Sequence, residues 1–178
     1  VHLVSWSDAG TGAVEFCRRW PDSVRSCVFL GMPWQYRLPI GLSQLARLYL
    51  RTPLFRATPN VLAGVLIAAL MGGKKIPSRS LYGQLRALGP VSRYLRYSIL
   101  PCLDYTVHEL SKPPKTLVMG GDGDRFVTEE SMRHLANMMG AEFVPVPSGD
   151  HFLPWTSPDM VTPRVAEFIR EVDRETGT

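Results

Sequence analysis

Three residues of this 178-residue chain stand where their types could do chemistry, each shortly after an apolar run. Ser7 follows "HLVSW", an aspartate of "GGDGD" (Asp122 or Asp124) follows "KTLVM", and His151 follows "EFVPVPSGD". A serine hydroxyl is a weak nucleophile near neutral pH and needs a base within hydrogen-bond reach. Histidine is suited to take that proton and hand it to a leaving group. An aspartate behind the imidazole fixes its tautomer and stabilises the imidazolium. Together the three residue types admit acyl chemistry through a covalent serine ester. Each also has an ordinary role when taken alone. Serines cap helices at strand-to-helix turns, aspartates are usual in glycine-rich turns, and single loop histidines mostly pack or face solvent. His2, on the opening strand, and His108 and His134, within helical patterns, read as structural.

The pattern of apolar residues says which elements must bring the three together. Residues 1–31 read as strand, helix, strand. "VHLV" is a short apolar run, and "GTGAVEFCRRW" has helical spacing with Val14, Phe16 and Cys17 able to face a sheet. Pro21 and Asp22 stop that helix, and "SVRSCVFLG" is a β-branched and aromatic strand closed by Gly31. Strand, helix and strand within about 30 residues make a βαβ unit with parallel strands. From residue 115 the alternation returns. "KTLVMGG" is a strand. "VTEESMRHLANMMG" is a helix with Thr128 as N-cap, Glu129 and Glu130 in its first turn and Gly140 past its end. "EFVPVP" is a strand, and "SPDMVTPRVAEFIREV" is the last helix. Ser157–Pro158 and Thr162–Pro163 each read as an N-cap followed by proline, which predicts a bend near Pro163. In α/β sheets function gathers in the loops after the carboxyl ends of strands. Ser7, the aspartates and His151 all fall in such loops.

Residues 33–111 differ in character. "LSQLARLYL", "NVLAGVLIAALM", "SLYGQLRALG" and "SRYLRYSIL" are helical in period, and the Pro-rich stretches "GMPWQYRLP" and "SKPPK" bound them. From Pro33 to Lys115 there are 12 Lys/Arg against only Asp104 and Glu109, a local charge of +10 in a chain whose net charge is +4. Such asymmetry fits a solvated face or an anionic partner. The run "VLAGVLIAALM" is well short of the roughly 20 residues that span a bilayer. Cys17, Cys27 and Cys102 lack CxxC spacing, which argues against a disulfide framework or a zinc site and leaves them as small buried thiols. Neither a phosphate loop nor a dinucleotide fingerprint is present. No secretory signal precedes the first strand, so a cytoplasmic protein is expected. The 45% hydrophobic content suffices for one globular domain.

At the three chemical positions the sequence resembles the α/β-hydrolase family. "HLVSWSDAGTGAVEFCRRWPDSVRSCVFLG" looks like that family's nucleophile strand, elbow, helix and following strand. "PPKTLVMGGDGDRFVTEE" looks like the strand and loop that carry its acid, and "VPVPSGDHFLPWTSPDMVTPRVAEFI" like its histidine loop and last helix. The chain order Ser, Asp, His is also the family's order. The resemblance implies Ser7 as nucleophile, His151 as base and Asp124 as acid. Asp124 is preferred to Asp122 because it matches the family's position just before "RFVT". The backbone N–H of Asp8 would donate to an oxyanion. Trp6, Phe126 and Phe152, beside these residues, become candidates for the substrate pocket. The elbow departs from GxSxG: it reads Ser5-Trp6-Ser7-Asp8-Ala9, small residues in place of the flanking glycines, with Gly10 next.

The implied fold class is α/β, the C-terminal part of an α/β-hydrolase fold. It has a parallel sheet of about four strands, a core of residues 1–32 and 112–178, and a helical cap insertion over 33–111. The family's strands before the nucleophile, with the loop that supplies a second oxyanion donor, are not legible. The chain is therefore expected to be a fragment or one half of a two-chain protein, with the Ser7 strand at an open edge. Serine rather than aspartate at position 7 implies an acyl-enzyme, hence a carboxylic-ester hydrolase. The alternatives are an acyltransferase or C–C bond hydrolase on the same residues, or a non-catalytic family member that binds. The expected partner is a small acyl substrate, apolar or anionic (an acyl-CoA or acyl carrier protein), with a membrane surface less favoured. No nucleic acid, metal or cofactor is expected.

Overall fold

The computed structural model describes residues 1–36, Gln44, Leu48 and 105–177. The expected cap helices, the apolar run at 61–71 and Cys102 lie outside the described residues. Within them the elements are β1 (His2–Trp6), α1 (Ala9–Arg19), a 3₁₀ turn (Pro21–Ser23), β2 (Ser26–Leu30), β3 (Lys115–Gly121), α2 (Glu129–Met138), β4 (Glu142–Val146), α3 (Leu153–Thr156) and α4 (Pro158–Thr176). The strands form one four-stranded sheet in the order β1-β2-β3-β4. Every pairing is parallel: Val4 lies opposite Val28, Val28 opposite Leu117, and Met119 opposite Val144.

A parallel sheet is covered on both faces, so its inner strands carry near-continuous apolar runs. All five residues of β2 are buried. Successive side chains go to opposite faces. Cys27, Phe29 and Val118 join Val14 and Cys17 of α1 and Met132 and Leu135 of α2 in one core. Val28, Leu30, Leu117 and Met119 pack on the other face against Val161, Phe168 and Val172 of α4. Three layers result, and the carboxyl ends of all four strands share one rim.

The helix ends mostly follow the sequence. Thr128 caps α2, its Oγ1 accepting from Ser131 N at 3.3 Å, and Gly140 takes a left-handed φ of 57°. The last helix differs from expectation. Ser157 makes no side-chain cap bond, and α4 runs unbroken through Pro163, so Thr162–Pro163 starts no new helix. Proline there gives up one backbone bond. The buried row Val161, Phe168 and Val172 anchors both sides of that gap to the sheet. The four-residue α3 has no counterpart in the sequence reading.

The ends of the segment expected to be a cap meet at a point. Gln35 and Thr106 form an antiparallel bridge, Tyr36 N donates to Tyr105 O at 3.0 Å, and Val107 N donates to Trp34 O at 2.8 Å. Residues 34–36 and 105–107 thus run side by side. Of the basic stretch, Lys112 pairs with Asp22 at 2.6 Å and Lys115 with Glu175 at 3.0 Å. No helix among the described residues is long and apolar enough to cross a membrane.

Leu117 is fully buried between β2, β4 and α4. Truncating such a side chain removes transfer energy and leaves a cavity. Leu117→Ala is expected to lower unfolding free energy by about 2–5 kcal/mol in urea titration. A loss under about 1 kcal/mol would contradict this packing.

Candidate functional site

Ser7 sits at the turn between β1 and α1. Its φ is 52°, the left-handed region, unusual for a residue with a side chain. Two backbone bonds hold the turn: Ser7 N donates to Leu30 O at 2.9 Å, and Gly10 N donates to Ser7 O at 3.0 Å. The chain can turn this sharply because α1 lies close to the core. A Cβ on Gly10 would overlap the Met32 side chain, which is itself fully buried. Ser5, at the position before Trp6, tucks its hydroxyl onto Val28 O at 3.2 Å. Asp8 is the N-cap residue of α1, at the positive end of the helix dipole. Thr11 closes the first turn by donating from N (3.1 Å) and Oγ1 (2.8 Å) to Asp8 O.

His151 arrives from the loop after β4 and is fully buried. Its Nε2 lies 2.9 Å from Ser7 Oγ and its Nδ1 lies 2.8 Å from Asp124 Oδ2. A carboxylate only accepts, so Nδ1 carries the proton and Nε2 is left to accept from the serine hydroxyl. The other oxygen of Asp124 accepts from Phe126 N at 2.8 Å and Val127 N at 2.9 Å. Both carboxylate oxygens are thus fixed, and the side chain has no solvent exposure. Asp122 is exposed and joins neither His151 nor Ser7 in this network.

The aspartate loop and the histidine loop are pinned to each other. Asp122 N donates to Val146 O at 3.3 Å and Gly123 N donates to Gly149 O at 2.9 Å. Gly121 lies so near that a Cβ there would fall on the Gly149 carbonyl. Chemically, the arrangement can deprotonate Ser7 as it attacks and hold the resulting imidazolium. Among the described residues, no cluster of three His, Cys, Asp or Glu could hold a metal.

A bromoperoxidase from Bacillus anthracis superposes with a TM-score of 0.74 at 14% identity, covering 96% of this chain and 67% of its own. A thermophilic esterase from Thermogutta terrifontis gives 0.64 at 17%, covering 97% and 65%. The 2-hydroxy-6-oxo-6-phenylhexa-2,4-dienoate hydrolase of a Rhodococcus species gives 0.67 at 17%, covering 95% and 63%. The chain has the α/β-hydrolase fold. It spans about two thirds of the length of these structures. No family model matches the sequence. No curated protein matches it either.

Within the α/β-hydrolase fold the remaining sequence candidates fall into different settings. Trp6 donates its indole N–H to His151 O at 2.6 Å. It also packs on Phe152 at 5.4 Å and Trp155 at 4.7 Å between ring centroids. Phe152, next to His151 in the chain, is buried in this cluster. Phe126 is 39% exposed and sets its ring edge-on to the imidazole at 5.1 Å. His108 and His134 are exposed and away from the site, and His134 rests on Trp34 at 4.6 Å.

Asp150 was not legible as a site residue. Its Oδ1 accepts from Phe152 N at 2.9 Å and Thr156 Oγ1 at 2.7 Å, so it closes the turn into α3 directly beside His151. The signal was available: an aspartate accepting from the N–H two residues on is an Asx-turn, and Asp124 makes the same turn in its own loop.

A second Ser–His–Asp string shows why residue types alone do not define the site. Ser26 Oγ lies 2.8 Å from His2 Nδ1, and His2 Nε2 lies 3.0 Å from Asp173 Oδ1. Ser26, however, lies within a regular strand at the opposite rim, fully buried, and Asp173 is shared with Arg25. No turn presents that hydroxyl and no helix begins above it.

Adding a methyl at Gly121 drives the aspartate and histidine loops apart. Gly121→Ala is expected to cost about 1–3 kcal/mol of stability, the range for overpacking, and to weaken the contact between His151 and Ser7. Urea denaturation, with the His151 imidazole proton resonances as a second reading, checks both. Wild-type stability and unchanged resonances would contradict the close approach.

Proposed function

We propose that this chain carries the reactive core of a serine hydrolase that cleaves a carboxylic ester through an acyl-enzyme. The observation that supports it is the unbroken string from Ser7 to His151 to Asp124, with its serine on a left-handed turn at a helix start. Ser7 Oγ attacks the ester carbonyl carbon while its proton passes to His151 Nε2. The tetrahedral intermediate collapses, the C–O bond to the alcohol breaks, and the imidazolium returns the proton to the departing oxygen. Water then attacks the acyl-enzyme by the same route, releasing the acid and restoring Ser7. Asp124 keeps the imidazole oriented throughout. The N–H of Asp8, at the start of α1, is one oxyanion donor, and such a donor is worth roughly 3–4 kcal/mol of barrier.

The segment between the Gln35–Thr106 bridge residues is, in this proposal, the cap that selects the acyl group. The paired ends support an insertion that hangs from one point of the core. Its basic residues suit an acyl group borne on an anionic carrier. The second oxyanion donor comes from chain paired along the outer edge of β1, an edge that has no partner strand among the described residues. Acyl transfer on the same residues is separated from hydrolysis by product analysis with and without an alcohol acceptor.

A fluorophosphonate probe tests the nucleophile directly. Ser7 is expected to be the tagged residue in peptide mapping, and Ser7→Ala to abolish the tag. His151→Ala should label at least about 100-fold more slowly, the scale of general-base catalysis. Failure of the wild-type protein to label would remove the hydrolase reading. Turnover of short acyl esters by this chain alone is expected to be weak. It should rise about 10²–10³-fold when strands supplying the second donor are present, the effect of one oxyanion donor. Equal rates in the two forms would count against the missing donor.

A further inference from the structure

Two of the three cysteines face each other across the interface of α1 and β2. Cys17 Sγ and Cys27 Sγ lie 3.2 Å apart, and both side chains are buried and free. Nothing in the proposed reaction uses them. We infer that Cys17 and Cys27 form a reversible, oxidisable dithiol, a modification site that cross-links the helix behind Ser7 to the strand beside it.

Closing a disulfide from this distance requires the two sulfurs to approach by a little over about 1 Å, to a bond of about 2.05 Å. One side-chain adjustment at a helix–sheet contact supplies such a shift. The thiols are also unequal. The two thiols share one hydrogen bond, which holds the pKa of Cys17 down, while the same bond and burial push Cys27 up. Cys17 is therefore the attacking thiolate. It stands two residues before the end of α1, where the 3₁₀ turn begins soon after. Local opening of that last turn admits a small oxidant without unfolding the sheet.

The oxidant is a peroxide. The Cys17 thiolate attacks one peroxide oxygen, the O–O bond breaks, and a sulfenic acid forms as hydroxide leaves and takes up a proton to become water. Cys27 sulfur then attacks Cys17 sulfur, the S–OH bond breaks, and water departs with the Cys27 proton. Two thiols are oxidised to one disulfide, and one peroxide is reduced to two waters. The product ties α1 to β2, whose Leu30 carbonyl holds Ser7 N.

The test uses the whole folded chain. It is fully reduced, freed of reductant, treated with hydrogen peroxide, alkylated in denaturant and digested with trypsin. Arg18, Arg19 and Arg25 lie between the two cysteines, so trypsin separates their peptides unless they are bonded. The expected result is a cross-linked Cys17–Cys27 pair, two hydrogens lighter than the separate thiols, with alkylatable thiols falling from three to one and recovering with dithiothreitol. Cys17→Ser and Cys27→Ser should each abolish the cross-linked species. Recovery of both cysteines as alkylated thiols, pairing of either with Cys102, or conversion to sulfinic or sulfonic acid would overturn the inference. The reading is independent of Ser7 labelling, so either can fail alone.

Discussion

The parallel hydrogen-bond ladder that joins β1, β2, β3 and β4 fixes where Ser7, Asp124 and His151 stand. Because all four strands run the same way, their carboxyl ends share a rim. The ladder also continues past the strands into the loops. Ser7 N reaches Leu30 O, Gly31 N reaches Met119 O, and Asp122 N reaches Val146 O. Each loop thus inherits its position from the strand beside it. A one-residue slip would send alternate side chains to the wrong face. It would expose the core of β2 and separate Ser7 from His151 together.

The site adds strain and polarity to that frame. A left-handed serine costs about 1–3 kcal/mol relative to relaxed backbone. Bonds to Leu30 and Gly10 and the aromatic packing of Trp6 hold it there. Trp6 is also bonded to the carbonyl of His151, so the residue before the serine positions the residue that would receive its proton. The buried polar groups of the string are paired end to end, as burial in low dielectric demands.

Much of this was legible in the sequence, for identifiable reasons. The apolar runs of β2 and β3 and the helical spacing of Val14 and Cys17 follow from burial, which one-dimensional patterns record. Ser7 and His151 stood out because each follows a strand-like run; the same pattern left Asp122 and Asp124 open, and the resemblance to the family's loop before "RFVT" favoured Asp124. The turn at Ser7 was read as an elbow although Ser5 and Ala9 replace its flanking glycines; the close approach is carried by Gly10 instead. The four residues of α3 were too few for a period to show, and no pattern singled out Asp150. Thr162 read as a second N-cap because that local signal was weighed without the buried row that carries α4 through Pro163. Cys17 and Cys27 are ten positions apart and belong to different elements, so only the fold could reveal that they touch.

The Gln35–Thr106 bridge has a consequence for how such a protein varies. Once two ends of a segment are pinned together, lengthening the chain between them costs only loop-closure entropy, about 0.6 kcal/mol for each doubling. The bridge is held by backbone bonds of residues 34–36 and 105–107, so its geometry depends on backbone more than on side-chain identity at those positions.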